Sequence, residues 1–217
     1  MNESQWGKEE KKRITEIKTF PIPFGLVDIS NYTQTPSKPS KEEIINQAFK
    51  FHSEGNLKEA SIYYQYFIDQ GFKDHRIFSN YGVILKDLGK LKDAELLQLK
   101  AIELNPYDEI AHSNLGTILK DLGQLKEAEI CTRKAIDLKP DFADAHLNLG
   151  NILKGLGKLK GAKLSLLKVI ELNPDFAEAH NNLGGILKNL GQLKEAEIST
   201  RKAIDLKPDF ADAHLNL

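Results

Sequence analysis

Cysteine is nearly absent. Cys131 stands alone among 217 residues, which excludes an internal disulfide and any metal site built from several thiolates. Nowhere does an apolar run approach the roughly 20 residues a membrane-spanning helix needs. The N-terminal residues, with their charged segment from Lys8 to Arg13, have no apolar stretch behind them and do not read as a secretory signal. Neither sign of charge dominates: 30 basic side chains face 31 acidic ones. A general nucleic-acid binder would rest its affinity on a basic excess, so that class is disfavoured. These absences together point to a cytoplasmic protein. What is present is apolar material, 41% of the residues, enough to bury a sizeable core.

That material is organised as a repeat, and self-similarity overrides any domain count based on length. Residues 109–142 and 177–210 are identical at 28 of 34 positions. Pro106, Pro140, Pro174 and Pro208 are each 34 residues apart, as are Gly82, Gly116, Gly150 and Gly184. Further columns are formed by Gly55, Gly89, Gly123, Gly157 and Gly191, and by Ala60, Ala94, Ala128, Ala162 and Ala196. The register defines units at 41–74, 75–108, 109–142, 143–176 and 177–210, with a sixth begun at 211–217.

Each unit reads as two helices. In 109–142, Ala111, His112, Leu115, Gly116, Ile118, Leu119 and Leu122 recur at helical spacing and occupy an arc about 160° wide at 100° per residue. Gly123 supplies a left-handed residue to end that helix. A second periodic run from Leu125 to Leu138 follows, and Pro140 stops it, because proline cannot continue the ladder. So short a connection requires antiparallel packing. Gly116 sits mid-helix, where glycine costs about 1 kcal/mol relative to alanine. Close approach of the two axes, glycine against Ala128, is the expected return.

The spacing of Leu115-Gly116, Ala128, Ala135 and Pro140 resembles the tetratricopeptide repeat, a 34-residue helix–turn–helix unit. The resemblance runs in phase from residue 41 to residue 217. It implies an all-α fold, a right-handed α-solenoid whose first helices line the inner surface, and a protein-binding scaffold as the function. Departures are visible. Where the family has a tryptophan in the first turn, this chain has Phe78, His112, His146, His180 or His214. The first unit has Phe72 in place of the proline and Gln47-Ala48 in place of Leu-Gly, which reads as a diverged end repeat. Residues 1–40 lie outside the repeat and read as a disordered tail and linker. Residues 20–27, an apolar stretch that its prolines keep extended, are the part that could instead dock on the solenoid or a partner. Ser40 and Glu43 form a capping-box pattern that dates the first helix.

No catalytic or cofactor motif emerges. Gly150 and Gly155 have the glycine spacing of a phosphate loop, but Leu156 and Gly157 fill its lysine and Ser/Thr places. His112, His146, His180 and His214 form a column whose members stand about 8–10 Å apart, too far to share an ion that needs ligands at about 2 Å. They read as repeated packing residues. Cys131 is matched by Leu97, Ser165 and Ser199 in other units, so it fills a variable position. Glu129 and Arg133 are i, i+4 neighbours and read as a solvated, charge-laced face.

The candidate site is the polar arc of the first helices. Position six of each unit is Asn46, Asn80, Asn114, Asn148, Asn182 and Asn216, and position twelve is His52, Lys86, Lys120, Lys154 and Lys188. An asparagine amide matches the C=O and N–H groups of a peptide. Equivalent positions about 8–10 Å apart would meet an extended chain about every third residue. The lysines would favour acidic segments. A similar asparagine column lines the repeat arm of the O-linked N-acetylglucosamine transferases, where it grips substrate backbone. Asparagine here could equally hydrogen-bond neighbouring helices. The family's carboxylate clamp is not matched, since position five is Ile45, Ser79, Ser113, Leu147 or Asn181 and position six is never arginine.

The chain stops at Leu217, inside a first helix. Such an edge is expected to expose apolar surface, favouring either a fragment of a longer protein or end-to-end association. The leading expectation is a non-catalytic scaffold that binds an extended peptide, without cofactor or metal. The substrate-recognition arm of a larger glycosyltransferase and a self-assembling structural protein are the alternatives.

Overall fold

A computed structural model describes residues 39–217, so the segment at 20–27 lies outside the described residues. Among the latter all regular structure is helical, in eleven helices. They fall into two compact units, the chain passing from one to the other after Pro106. The first unit holds α1 (Lys41–Ser53), α2 (Leu57–Asp69), α3 (His75–Asp87) and α4 (Leu91–Leu104). The second holds α5 (Glu109–Asp121), α6 (Leu125–Leu138), α7 (Ala143–Gly155), α8 (Leu159–Leu172), α9 (Ala177–Asn189), α10 (Leu193–Leu206) and α11 (Ala211–Asn216). Helix boundaries follow the 34-residue register: every hairpin pairs a first helix with the second helix that follows it, and within each unit successive hairpins pack on one another.

The turns inside the hairpins form as the glycine column requires. At Gly123 φ is +76°, a conformation a side chain rarely adopts. There the Gln124 N–H reaches back to the Leu119 carbonyl at 2.8 Å, closing the last turn of α5. Capping at the other ends varies. Ser40 and Glu43 form the expected capping box, with Ser40 N donating to Glu43 Oε2 at 2.7 Å and Glu43 N donating to Ser40 Oγ at 3.2 Å. Asp74 caps α3 and Asp108 caps α5 through their carboxylates. At α7, α9 and α11 the same position is Phe142, Phe176 and Phe210, with no side-chain cap.

The histidine column takes up the slack at those three helices. Nε2 of His146, His180 and His214 lies 2.9, 2.8 and 2.8 Å from the carbonyls of Pro140, Pro174 and Pro208. A carbonyl can only accept, so Nε2 carries the proton and donates. The histidines are therefore more than packing residues. Each ties the first turn of its helix to the proline loop before it, where the aspartate cap has been lost.

The hairpin seam is built on the glycine and alanine columns. Ala60, Ala94, Ala128 and Ala162 are completely buried. A Cβ placed on Gly116 would meet the Thr132 hydroxyl and come within 3.3 Å of the Ala128 carbonyl oxygen. On Gly150 it would meet Leu166 at 3.0 Å, and on Gly82 the Gln98 side chain at 2.7 Å. The expected close approach to the alanine is present, and the side chain four residues further along is a second partner. In the second unit, Leu149, Leu153, Leu166, Val169, Leu183, Ile186 and Leu187 belong to one core cluster that runs through two hairpins. No helix among the described residues is long and apolar enough to cross a membrane.

Candidate functional site

Within the second unit the first helices α5, α7, α9 and α11 approach one another in series to within 8 Å, Cα to Cα, whereas α6, α8 and α10 make no comparable contacts. The first helices therefore line the closely spaced, inner side of this unit. Asn148 and Asn182 lie on that side, half-buried. One amide donor of each is already in use. Asn148 Nδ2 donates to Thr117 Oγ1 at 3.1 Å, Asn182 Nδ2 to Asn151 Oδ1 at 3.2 Å, and Asn216 Nδ2 to Asn181 Oδ1 at 2.8 Å. Each bond crosses from one hairpin to the previous one, so the row stitches repeats together. The Oδ1 acceptors of Asn148 and Asn182 are left unpaired among the described residues. Asn114 is half-buried at the same position of α5.

In the first unit the row behaves differently. Asn46 is exposed. Asn80 hydrogen-bonds the phenol of Tyr64, whose pKa burial pushes up to about 12 and the asparagine bond partly restrains. The same hydroxyl lies 2.7 Å from His52 Nδ1, so His52, at position twelve, is tied into the core instead of standing with the lysines.

The lysine row divides as well. Lys86 pairs with Asp87 at 3.1 Å and Lys120 with Asp121 at 3.3 Å. For Lys154 and Lys188 the following residue is Gly155 or Asn189. Both lysines are exposed and without a carboxylate partner among the described residues. Beside them Gly185 replaces the Thr117 and Asn151 of earlier units, and a Cβ there would meet nothing nearer than Lys154 Nζ at 4.0 Å. The inner side is thus most open, and its charge least neutralised, between α7 and α9. A further cavity of about 320 Å³ opens beside the start of α9, lined by Glu178, Asn181, Asn182, Lys207, Phe210 and Asp212.

Position nine, on the same polar arc, was not among the candidate site residues. Its occupants Thr117 and Asn151 accept the asparagine bonds, and the signal was their polarity on an otherwise apolar-flanked helix. No group of three or more His, Cys, Asp or Glu side chains suited to a metal ion occurs among the described residues. Cys131 is buried in α6. The outer face is charge-laced as expected. Burial would raise the Glu129 carboxyl, but hydrogen bonds from Lys158 at 2.6 Å and Arg133 at 2.9 Å outweigh it and hold the carboxyl below its ordinary value.

Known proteins fit this architecture. One TPR-repeat profile matches residues 116–157 and 150–191. A second, described as tetratricopeptide repeat, matches 75–108 and 177–210, and a third of the same description matches 97–130. Together they run from residue 75 to residue 210, more than half of the chain. No curated protein sequence matches it significantly. Among solved structures, MamA 41-end from Desulfovibrio magneticus RS-1 superposes with a TM-score of 0.70 at 22% identity, over 81% of this chain and 99% of its own. YrrB, described as a TPR protein with an unusual peptide-binding site, does so with a TM-score of 0.67 at 24% identity, over 81% and 91%. TTC0263, a thermophilic TPR protein in Thermus thermophilus, gives 0.64 at 18% identity, over 81% and 96%. At these identities the structures speak to the fold alone. With the 34-residue register, the paired helices and the matching profiles in agreement, the chain belongs to the tetratricopeptide-repeat family.

Proposed function

We propose that the protein is a non-catalytic interaction scaffold that binds an extended, acidic segment of another protein along the inner side of its first helices. The observation that carries this reading is the open, positively charged stretch at Lys154, Gly185 and Lys188. Two exposed ammonium groups without carboxylate partners among the described residues flank a place where the helix surface has lost its side chain. Beside them, Asn148 and Asn182 each keep an Oδ1 acceptor and the second N–H of the amide for a peptide's backbone groups, one N–H being used between repeats. Within the second unit the row of Asn114, Asn148 and Asn182 would thus read peptide backbone. Lys86 and Lys120, each beside an aspartate, would contribute less than Lys154 and Lys188. YrrB, similar in fold, is itself described as having a peptide-binding site, which favours this class of function.

The test is capture of partners from the native cell by the wild-type chain and by Asn114→Ala/Asn148→Ala/Asn182→Ala, with a melting curve for each. Loss of the captured partners at a modest cost in melting temperature is expected. Partners that survive the triple change would remove the ladder from the account.

A further inference from the structure

The outer helices of the second unit contain a built-in comparison. α6 and α10 are nearly identical in sequence, and α8 between them departs from both, above all in charge. Glu127 and Glu195 correspond to Gly161, Glu129 and Glu197 to Lys163, Ile130 and Ile198 to Leu164, and Arg133 and Arg201 to Leu167. The neighbours each close an i, i+4 ion pair, Glu129 with Arg133 at 2.9 Å and Glu197 with Arg201 at 2.8 Å. On α8 that pair is gone, and two leucines one turn apart stand in the open, Leu164 68% exposed and Leu167 41%. Around them are Lys160, which is exposed, Lys163, whose amine rests on the neutral Gln192 Oε1 at 3.0 Å, and Lys168, paired with Glu171. α8 thus carries three basic residues against one acidic, whereas α6 and α10 carry three against three.

We infer that the outer face of α8, centred on Leu164 and Leu167 and rimmed by Lys160 and Lys163, docks an acidic amphipathic helix of a partner protein. Leucines at i and i+3 form a ridge. The second helices of this unit do not pack closely on one another, and a partner's own ridge can settle against the one on α8. Charge complementarity decides the occupant. A lysine rim around an apolar pair selects an apolar stripe flanked by carboxylates. A second copy of this face would set lysine against lysine. This surface is separate from the inner side and does not rest on the peptide reading above.

The test uses the full chain and a synthetic 18-residue helix with leucine along one face and glutamate along the other, followed by fluorescence anisotropy. The informative variant is Lys163→Glu/Leu167→Arg, which installs on α8 the ion pair that α6 and α10 already accommodate. Leu164→Gln is a second variant at a still more exposed site. Saturable binding to the wild type, weakened about tenfold or more in both variants while their melting temperatures stay near wild type, is expected. Failure of the probe to bind, or binding to the variants as tight as to the wild type, would overturn the inference. So would variant-sensitive sedimentation with phosphatidylserine vesicles, or variant-sensitive dimerisation in place of probe binding.

Discussion

The first and second compact units fill the same repeat plan with different materials. In the first, Tyr63, Tyr64, Phe67, Phe78 and Tyr81 are buried, and rings meet edge-on or tilted, as between Phe49 and Tyr64 at 6.3 Å and Tyr64 and Tyr81 at 6.0 Å. The core of the second contains aliphatic residues and alanine, with Phe142, Phe176 and Phe210 only partly covered. The contrast is sharpest at the seam. Tyr64 stands where the second unit has Thr132, Leu166 and Thr200, and opposite it Ala48 replaces the glycine. Both members of the pair are larger in the first hairpin, Ala48 with Tyr64 against Gly116 with Thr132, so the repeat plan keeps the position of the seam and not its volume.

That comparison can be broken most severely at Tyr64. Tyr64→Ala should remove roughly 3–5 kcal/mol from the first unit by leaving a cavity. Amide exchange should then accelerate in α1 and α2 while α7 to α10 keep their protection. Next in size, Gly116→Leu or Ala128→Leu should cost roughly 3 kcal/mol by overpacking the second unit's first hairpin. Gly116→Ala should cost less, and Thr132→Ala should rescue it in part, because the added Cβ meets the Thr132 hydroxyl. Equal melting temperatures for Gly116→Leu and the wild type would contradict the seam.

Alkaline pH separates the units chemically. Burial pushes Tyr64 up to about 12, and Tyr81 also to about 12 by burial with Asp69 and Asp93 nearby. Both folded values lie above the ordinary tyrosine value near 10. The neutral phenols therefore contribute stability that is complete below pH 10 and is lost as pH rises toward 12, up to about 2 kcal/mol for each. Unfolding of the first unit should begin in that window, and Tyr64→Phe/Tyr81→Phe should flatten its pH dependence. Smaller still, Glu129→Gln should cost less than about 1 kcal/mol. Because the folded carboxyl titrates below its ordinary value, that difference should be present at neutral pH and vanish as pH falls through the carboxylate range.

The hairpins were legible because their determinants are local. A left-handed glycine at 123, a proline at 140 and apolar residues at helical spacing each fix the chain within a few residues of themselves. The capping box at Ser40 and Glu43 was legible for the same reason. What the sequence hid depends on pairs 19 to 35 residues apart, such as Gln98 with the Ser79 carbonyl at 2.8 Å, Glu129 with Lys158, and Asn148 with Thr117. The asparagine row was visible as a column, but its engagement between helices was not, since that is decided by how closely α5, α7 and α9 approach. His146, His180 and His214 were readable as packing residues, and their role as tethers follows only once Phe142, Phe176 and Phe210 are seen to leave the helix starts uncapped.

The inner side of α7 and α9 is where the functional account is most exposed to test. Titration calorimetry of an extended acidic peptide, with prolines spaced to prevent helix formation, should give saturable binding to the wild type that weakens with added salt. In Lys154→Glu/Lys188→Glu affinity should fall about tenfold or more, while Lys163→Glu/Leu167→Arg on the opposite face leaves it unchanged. Equal affinity for the wild type and Lys154→Glu/Lys188→Glu would contradict a peptide held on this face.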